Sequence, residues 1–481
     1  MPDTITVQPS GMLRDFLISG PGLEVRNPAS DALIGSVKAF EASEVEGIIQ
    51  GMKAAWGSWK AMTAKQRSVL LRKWNDLILA NAEELAALVT LECGKPLGEA
   101  RGEVAYAASF IEWFAEEAKR AYGQVIPPHV PGKRLATIKQ PVGLTAAITP
   151  WNFPLAMITR KAGPALAAGC PMIVKPAEAT PLSALALEKL AHEAGIPRDI
   201  FRVVPTMDPA GIGRLFCASP DIRKLSFTGS TRVGKLLLEQ CASTVKRVSM
   251  ELGGNAPFIV FDDADLDLAV EGAIASKYRN AGQTCVCANR FLVQDGIHDA
   301  FVEALSARVA GMKVGPGEEA GTEIGPIINI QGVDKVDALV RSACEAGAKA
   351  VTGGHRHIVG AHFFEPTVLT GITSEMDIFN TEIFGPVAAI SRFTYEDEAI
   401  RLANDTPYGL ASYMYTQDLG RAWRVMDQLE YGMVGVNDGL ISTEVAPFGG
   451  VKESGLGREG ASLGLDEYME VKYVSFSGLG A

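Results

Sequence analysis

From residue 144 onward the chain repeats one pattern: a short apolar run, then a helical stretch. That pattern limits the fold more than any other feature. Leu144 to Thr149, Met172 to Lys175, Phe201 to Val204, Lys224 to Phe227 and Val245 to Met250 read as strands. Helical periodicity fills 181–194, 208–217 and 230–241 between them. Strands this apolar are buried on both faces, and crossovers through helices make neighbouring strands parallel. Such a sheet takes its ligands at the carboxyl ends of its strands.

A second alternation begins near Asn255. Strands are expected at 258–261, 290–293, 387–393, 411–415 and 433–436, and helices at 265–280, 297–312, 332–346, 396–403 and 418–428. Ahead of the first sheet, apolar residues three and four apart predict helices from Ser43 and through 64–80, 82–93 and 98–121. Ser43 is the expected N-cap, with Glu46 completing a capping box. Residues 134–140 and the tail, 468–476, alternate like strands. An exposed terminal edge invites pairing with another subunit.

Composition excludes several classes. A net charge of −11 over 481 residues argues against a nucleic-acid binder, which carries a basic stripe. No run approaches the ~18 apolar residues of a membrane span. The start, Met1-Pro-Asp-Thr-Ile-Thr6, lacks the basic and apolar segments of a signal peptide. Seven cysteines, an odd number without a framework of spacings, fit a reducing compartment. The expectation is a soluble cytoplasmic protein with neither nucleic acid nor membrane as partner.

Three motifs mislead. Gly455-Leu-Gly457-Arg-Glu-Gly460 matches a dinucleotide fingerprint, but no strand precedes it and too little chain follows. Gly229 to Lys235 approaches a phosphate-binding loop, yet Leu236 stands where a hydroxyl would hold Mg²⁺. What survives is a polar turn, Thr228-Gly229-Ser230, opening a helix whose free N–H groups suit a phosphate or a simple cap. His355, His357 and His362 lie in a glycine-rich loop without ligands interleaved at metal spacing, so no metal is expected.

The chemistry concentrates in Asn280-Ala-Gly-Gln-Thr-Cys285-Val-Cys287. Small neighbours leave Cys285 approachable, and a thiolate there would be a nucleophile. Four polar or small segments follow four strands. They are Thr149-Pro-Trp151-Asn152, Lys175-Pro-Ala-Glu178, Thr228-Gly-Ser230 and Glu251-Leu252-Gly-Gly-Asn255. Each brings its groups to the same rim of the sheet.

With these segments, Glu382-Ile-Phe384-Gly-Pro386 and Pro447-Phe-Gly-Gly450, the chain resembles the aldehyde dehydrogenase superfamily essentially end to end. Gly282 to Arg290 and Glu444 to Gly450 look like its succinate-semialdehyde dehydrogenases. The resemblance implies a Rossmann-like NAD(P)-binding domain (1–121 and 142–253), a second α/β catalytic domain (254–453) and oligomerisation strands (122–141 and 464–481). It implies a homo-oligomer, dimer or tetramer. The catalytic set would be Cys285, Glu251, Asn152 and Lys175. Trp151, Asn152, Lys175, Glu178, Thr228, Gly229, Ser230, Leu252, Glu382 and Phe384 would hold the cofactor. Glu178 accepts from a ribose 2′-OH and repels a 2′-phosphate, which favours NAD over NADP. Arg160, Arg279 and Ser442 would grip the carboxylate tail of a small semialdehyde, although an arginine beside an apolar pocket also serves as a structural ion pair. Glutarate semialdehyde, one methylene longer than succinate semialdehyde, fits the same pattern. If 285–287 is extended, Cys287 shares a face with Cys285 and the two could form a strained, reducible disulfide.

Overall fold

The computed structural model describes residues 11–478. The expectations for the first six residues, and the outer ends of 1–121 and 464–481, lie outside the described residues.

Five parallel strands form the first sheet. In spatial order they are Arg247–Glu251, Ile222–Thr228, Leu144–Ile148, Met172–Lys175 and Phe201–Val203. The strand order reverses beside Leu144–Ile148, which pairs with Met172–Lys175 on one side and Ile222–Thr228 on the other. At such a switch point the loops leave in opposite directions and open a crevice. Thr149 to Asn152 and Thr228 to Ser230 are the two loops that leave it. A short antiparallel strand, Gly455–Leu456, closes the Arg247–Glu251 edge.

The second sheet has seven strands, in the order Lys349–Thr352, Thr367–Thr370, Val387–Phe393, Ala288–Gln294, Ala256–Val260, Ala411–Tyr415 and Met433–Val436. All pairs are parallel except the first, which is antiparallel. Lys349–Thr352 and Thr367–Thr370 escape the sequence reading; Lys349–Thr352 is an antiparallel edge strand whose first three residues are exposed, so it carries no buried apolar run. Met469–Ser477 pairs antiparallel with Lys133–Pro141, which also holds Gln124–Ile126. The outer edge of the tail strand is unpaired among the described residues.

Two expected boundaries move. The helix predicted from Ser43 runs Ala42–Ala61, and its cap is Glu41, whose N–H donates to Glu44 Oε2 at 3.1 Å. Glu41 keeps extended backbone, so the helix starts before Ser43 can cap it. The helix predicted to reach 280 stops at Lys277, because Asn280 and Ala281 both turn left-handed.

Helix Ala156–Ala168 is buried along its whole length, between the first sheet and helix Leu97–Glu117. Its N-terminal N–H groups at Leu155 and Ala156 donate to the buried Glu103 carboxylate at 2.9 and 3.3 Å. A carboxylate there meets both the unpaired donors and the positive end of the helix dipole.

One side chain ties the entry into the second sheet to that sheet's later elements. Arg290 is fully buried and donates to the carbonyls of Asn255, Leu402 and Ala403 and to the Tyr431 hydroxyl, at 2.7–3.1 Å. Removing it would strand several buried acceptors, each costing about 1–3 kcal/mol. Arg290→Leu should therefore lose at least ~3 kcal/mol of stability, read as a lower urea midpoint with an unchanged slope.

Candidate active site

The Cys285 loop is built from strain that its neighbours hold in place. Asn280, Ala281 and Gly282 have φ of 52°, 52° and 74°. Asparagine and glycine tolerate this region; for alanine it costs roughly 1–2 kcal/mol. At Gly282 a Cβ would stand 2.1 Å from the Gly385 carbonyl oxygen, so only glycine fits. The Asn280 N–H donates to Glu99 Oε2 at 2.8 Å, and its side-chain amide to the Asn152 carbonyl at 3.1 Å. Gln283 donates to the Asn280 carbonyl at 3.0 Å and accepts from the Ile328 N–H at 2.9 Å.

This loop lies against the end of the first sheet. A Cβ on Gly254 would meet the Cys285 carbonyl oxygen at 2.5 Å, so the glycines after Glu251 are what let the two segments touch. Cys285, Glu251 and Asn152 consequently line one cleft of about 320 Å³. Burial pushes the Cys285 thiol up to about 12; the Glu382 carboxylate adds to this and the Arg160 guanidinium opposes it. The resting thiol is therefore protonated at neutral pH and needs a base.

Glu251 is the last residue of its strand and is 2% exposed. Neither carboxyl oxygen has a hydrogen-bond partner among the described residues. Burial raises its pKa well above the ordinary carboxylate value. The neighbouring Glu459 carboxylate adds to the rise, against Arg160, Lys161 and Arg458. Glu459 itself is held by Lys161 and by Arg160 Nε. Asn152 uses one side-chain N–H on the Gln283 carbonyl at 2.9 Å, which leaves its second free, while Lys95 Nζ donates to its backbone carbonyl at 3.0 Å.

The same cleft continues towards the switch point. Trp151, Asn152, Thr228, Gly229, Ser230, Leu252, Glu382 and Phe384 all line it. Ser230 caps helix Thr231–Cys241, accepting from Val233 at 3.4 Å, and the Thr228 hydroxyl is buried with no hydrogen-bond partner among the described residues. Glu382 is fixed by the Gly254 N–H at 3.3 Å, and burial lifts its carboxyl to about 6. Trp151 meets Phe384 edge to face, with ring centroids 5.7 Å apart. A helix N-terminus for phosphates, a fixed carboxylate for a ribose and two aromatic walls fit a dinucleotide. Lys335, which sequence reading missed, also lines the cleft and donates to the Glu382 carbonyl at 2.6 Å. Lys175 and Glu178 pair with each other at the next strand end and do not line the cleft.

The three expected tail-binding residues separate. Arg160 is 1% exposed, stacked on Phe448 at 4.0 Å and ion-paired to Glu459 at 2.6 Å, which is the structural alternative anticipated for it. Arg279 makes no ion pair among the described residues. It faces a 290 Å³ pocket with Ser442, Phe153, Tyr106 and Glu99. No signal in the sequence singled out Tyr106, Glu99, Lys161 or Glu459.

Cys287 departs from expectation. Its N–H donates to the Thr284 carbonyl at 3.0 Å, so 284–287 is a turn and not the extended segment that would align the two sulfurs. Both thiols are free, and that of Cys287 is turned to the Lys277 carbonyl at 3.7 Å. Among the misleading motifs, Gly455 packs against the strand of Glu251 and faces no phosphate site. His362 contacts the Pro28 carbonyl, while His355 and His357 approach Glu365.

A family model described as "Aldehyde dehydrogenase family" matches residues 18–474. A succinate semialdehyde dehydrogenase of Acinetobacter baylyi is 58% identical, over 94% of each chain. A glutarate-semialdehyde dehydrogenase of Pseudomonas aeruginosa is 56% identical, over 96% of this chain and 95% of that one. The crystal structure of an aldehyde dehydrogenase from Brucella melitensis biovar abortus superposes with a TM-score of 0.94. It is 57% identical and covers 96% of this chain and 95% of its own.

Burial makes Glu251 a neutral acid well above the pH where a solvated carboxyl ionises. Infrared difference spectra between the wild type and Glu251→Gln should show a protonated carboxyl band that persists above the pH at which a solvated carboxyl ionises and fades as pH rises further.

Proposed function

The chain belongs to the aldehyde dehydrogenase family, whose members use NAD(P), and from that premise we propose that it oxidises succinate semialdehyde to succinate, with NAD preferred. The observation that carries the substrate is Arg279, a guanidinium seated over the Phe153 ring with no ion pair among the described residues, facing a small pocket beside Ser442. An unpaired cation in a confined pocket favours an anionic group that completes it. Both relatives compared above are named for aldehydes with a carboxylate tail.

Cys285 attacks the aldehyde carbon. Its proton passes to Glu251 in its ionised form, which returns that proton to solvent before the hydrolytic step, and the oxyanion is held by the free Asn152 N–H and the Cys285 backbone N–H. One such donor is worth ~3 kcal/mol. The dinucleotide, when bound, supplies the hydride acceptor. The thioester that remains on Cys285 is hydrolysed by water that Glu251 deprotonates. A carboxyl with a raised pKa is a stronger base once ionised, which suits that task. Glu178, paired with Lys175 at the neighbouring strand end, would meet the adenine ribose of a dinucleotide reaching past the cleft and would disfavour a 2′-phosphate. The free cysteines fit a cytoplasmic setting, and the open edge of Met469–Ser477 fits assembly into a homo-oligomer, dimer or tetramer. Among the described residues no helix is long and apolar enough to cross a membrane.

Glutarate semialdehyde is the second reading, favoured by the Pseudomonas relative. One methylene is worth roughly 1–3 kcal/mol, so steady-state kinetics on the two semialdehydes decides between them. Arg279→Leu should lower kcat/KM for succinate semialdehyde by ~10²-fold, with far less loss for a neutral aldehyde. Equal losses would remove the tail-binding role. Glu178→Ser should raise kcat/KM for NADP relative to NAD by about tenfold or more; an unchanged ratio would mean that Glu178 does not set the preference.

A further inference from the structure

We propose that the Tyr106 hydroxyl donates a hydrogen bond to the anionic tail of the substrate and so helps set its specificity. The inference rests on the carboxylate-tailed substrate proposed above and adds a residue that neither the motifs nor the family likeness supplied.

Tyr106 lies on helix Leu97–Glu117 and lines the pocket of Arg279 and Ser442. Its ring is fixed edge-on against Phe110, with centroids 5.0 Å apart at 70°. Its hydroxyl is buried, yet it has no hydrogen-bond partner among the described residues. Packing alone would be met by phenylalanine, and an unmet buried hydroxyl is a cost. A phenol that gives up water and gains no protein partner is therefore suited to a ligand atom.

Charge identifies that atom. The phenol lies within electrostatic reach of the Arg160 and Arg279 guanidiniums, of the Glu459 carboxylate that Arg160 neutralises, and of Cys285. Arg160 is committed to Glu459, whereas Arg279 is not. An anion drawn to Arg279 would thus find the Tyr106 and Ser442 hydroxyls in the same pocket. Glu99 also lines it, but one carboxyl oxygen already accepts the Asn280 N–H, which leaves Glu99 serving the Cys285 loop. A neutral donor adds direction without further positive charge. It favours a carboxylate, which accepts along defined lone pairs, over an apolar tail of the same length.

Tyr106→Phe keeps the ring and removes only the donor. The test compares kcat/KM for succinate semialdehyde and for butanal, a neutral aldehyde of equal carbon number, in the full-length chain with its dinucleotide. The variant should lose about tenfold on the semialdehyde, mostly through KM, and less than about twofold on butanal. Inhibition by succinate should weaken by a similar factor, a readout independent of turnover. Equal losses on both aldehydes, or unchanged selectivity in a wild type that does prefer the semialdehyde, would overturn the role of Tyr106. A wild type with no preference for the semialdehyde over butanal would overturn the tail-binding reading beneath it. If Tyr106→Phe proves unstable, Tyr106→Met, also lacking the hydroxyl, should show the same shift in selectivity, and its absence counts against the proposal.

Discussion

The close approach of the Cys285 loop to the backbone after Glu251 is the contact on which the chemistry of this fold depends. No side chain larger than hydrogen fits at Gly254, where a Cβ would stand 2.5 Å from the Cys285 carbonyl oxygen. The same crowding recurs across the loop, where Gly282 meets Gly385. The carboxyl ends of the first sheet's strands meet the amino ends of the second sheet's strands there, joined through backbone packed on backbone. The reward is geometric. A nucleophile from one sheet and a carboxyl from the other share one cleft without a flexible segment between them, which suits chemistry that depends on fixed positions.

That packing also sets the electrostatics. Burial favours the neutral forms of both Cys285 and Glu251. The cluster of Glu459, Arg160, Lys161 and Arg458 modulates this, since its cations oppose the rise at Glu251 and its carboxylate adds to it. Arg160 therefore belongs with the electrostatics of the proposed base. Arg279, with no ion pair among the described residues, is the cation proposed to meet the ligand.

Much of this could be read from residue order. Strand and helix alternation, the loops at the strand ends and the glycines beside Glu251 are local features, and local features leave local marks. Cys285, Asn152, Glu251, Trp151 and Ser230 could be singled out because each follows a predicted strand or sits in a distinctive turn, whereas Phe384 came from the family resemblance. Tyr106 left no such mark, being one tyrosine on an amphipathic helix. The two arginines looked equivalent, and nothing nearby in the chain says that Glu459 reaches the helix of Arg160. The turn at 284–287 was misjudged for the same reason: the period of a strand was assumed where a backbone hydrogen bond closes a turn.

The sequence by itself determined the class of fold and which strand ends carry chemical groups, because period, turn residues and glycine positions act over a few residues. Tertiary structure alone decided which charges are spent on one another and which stay free. Lys161 and Glu459 lie 298 residues apart, and only folding brings them together. Pairing and burial are properties of distance through space, and chain order encodes that distance only after the core has closed.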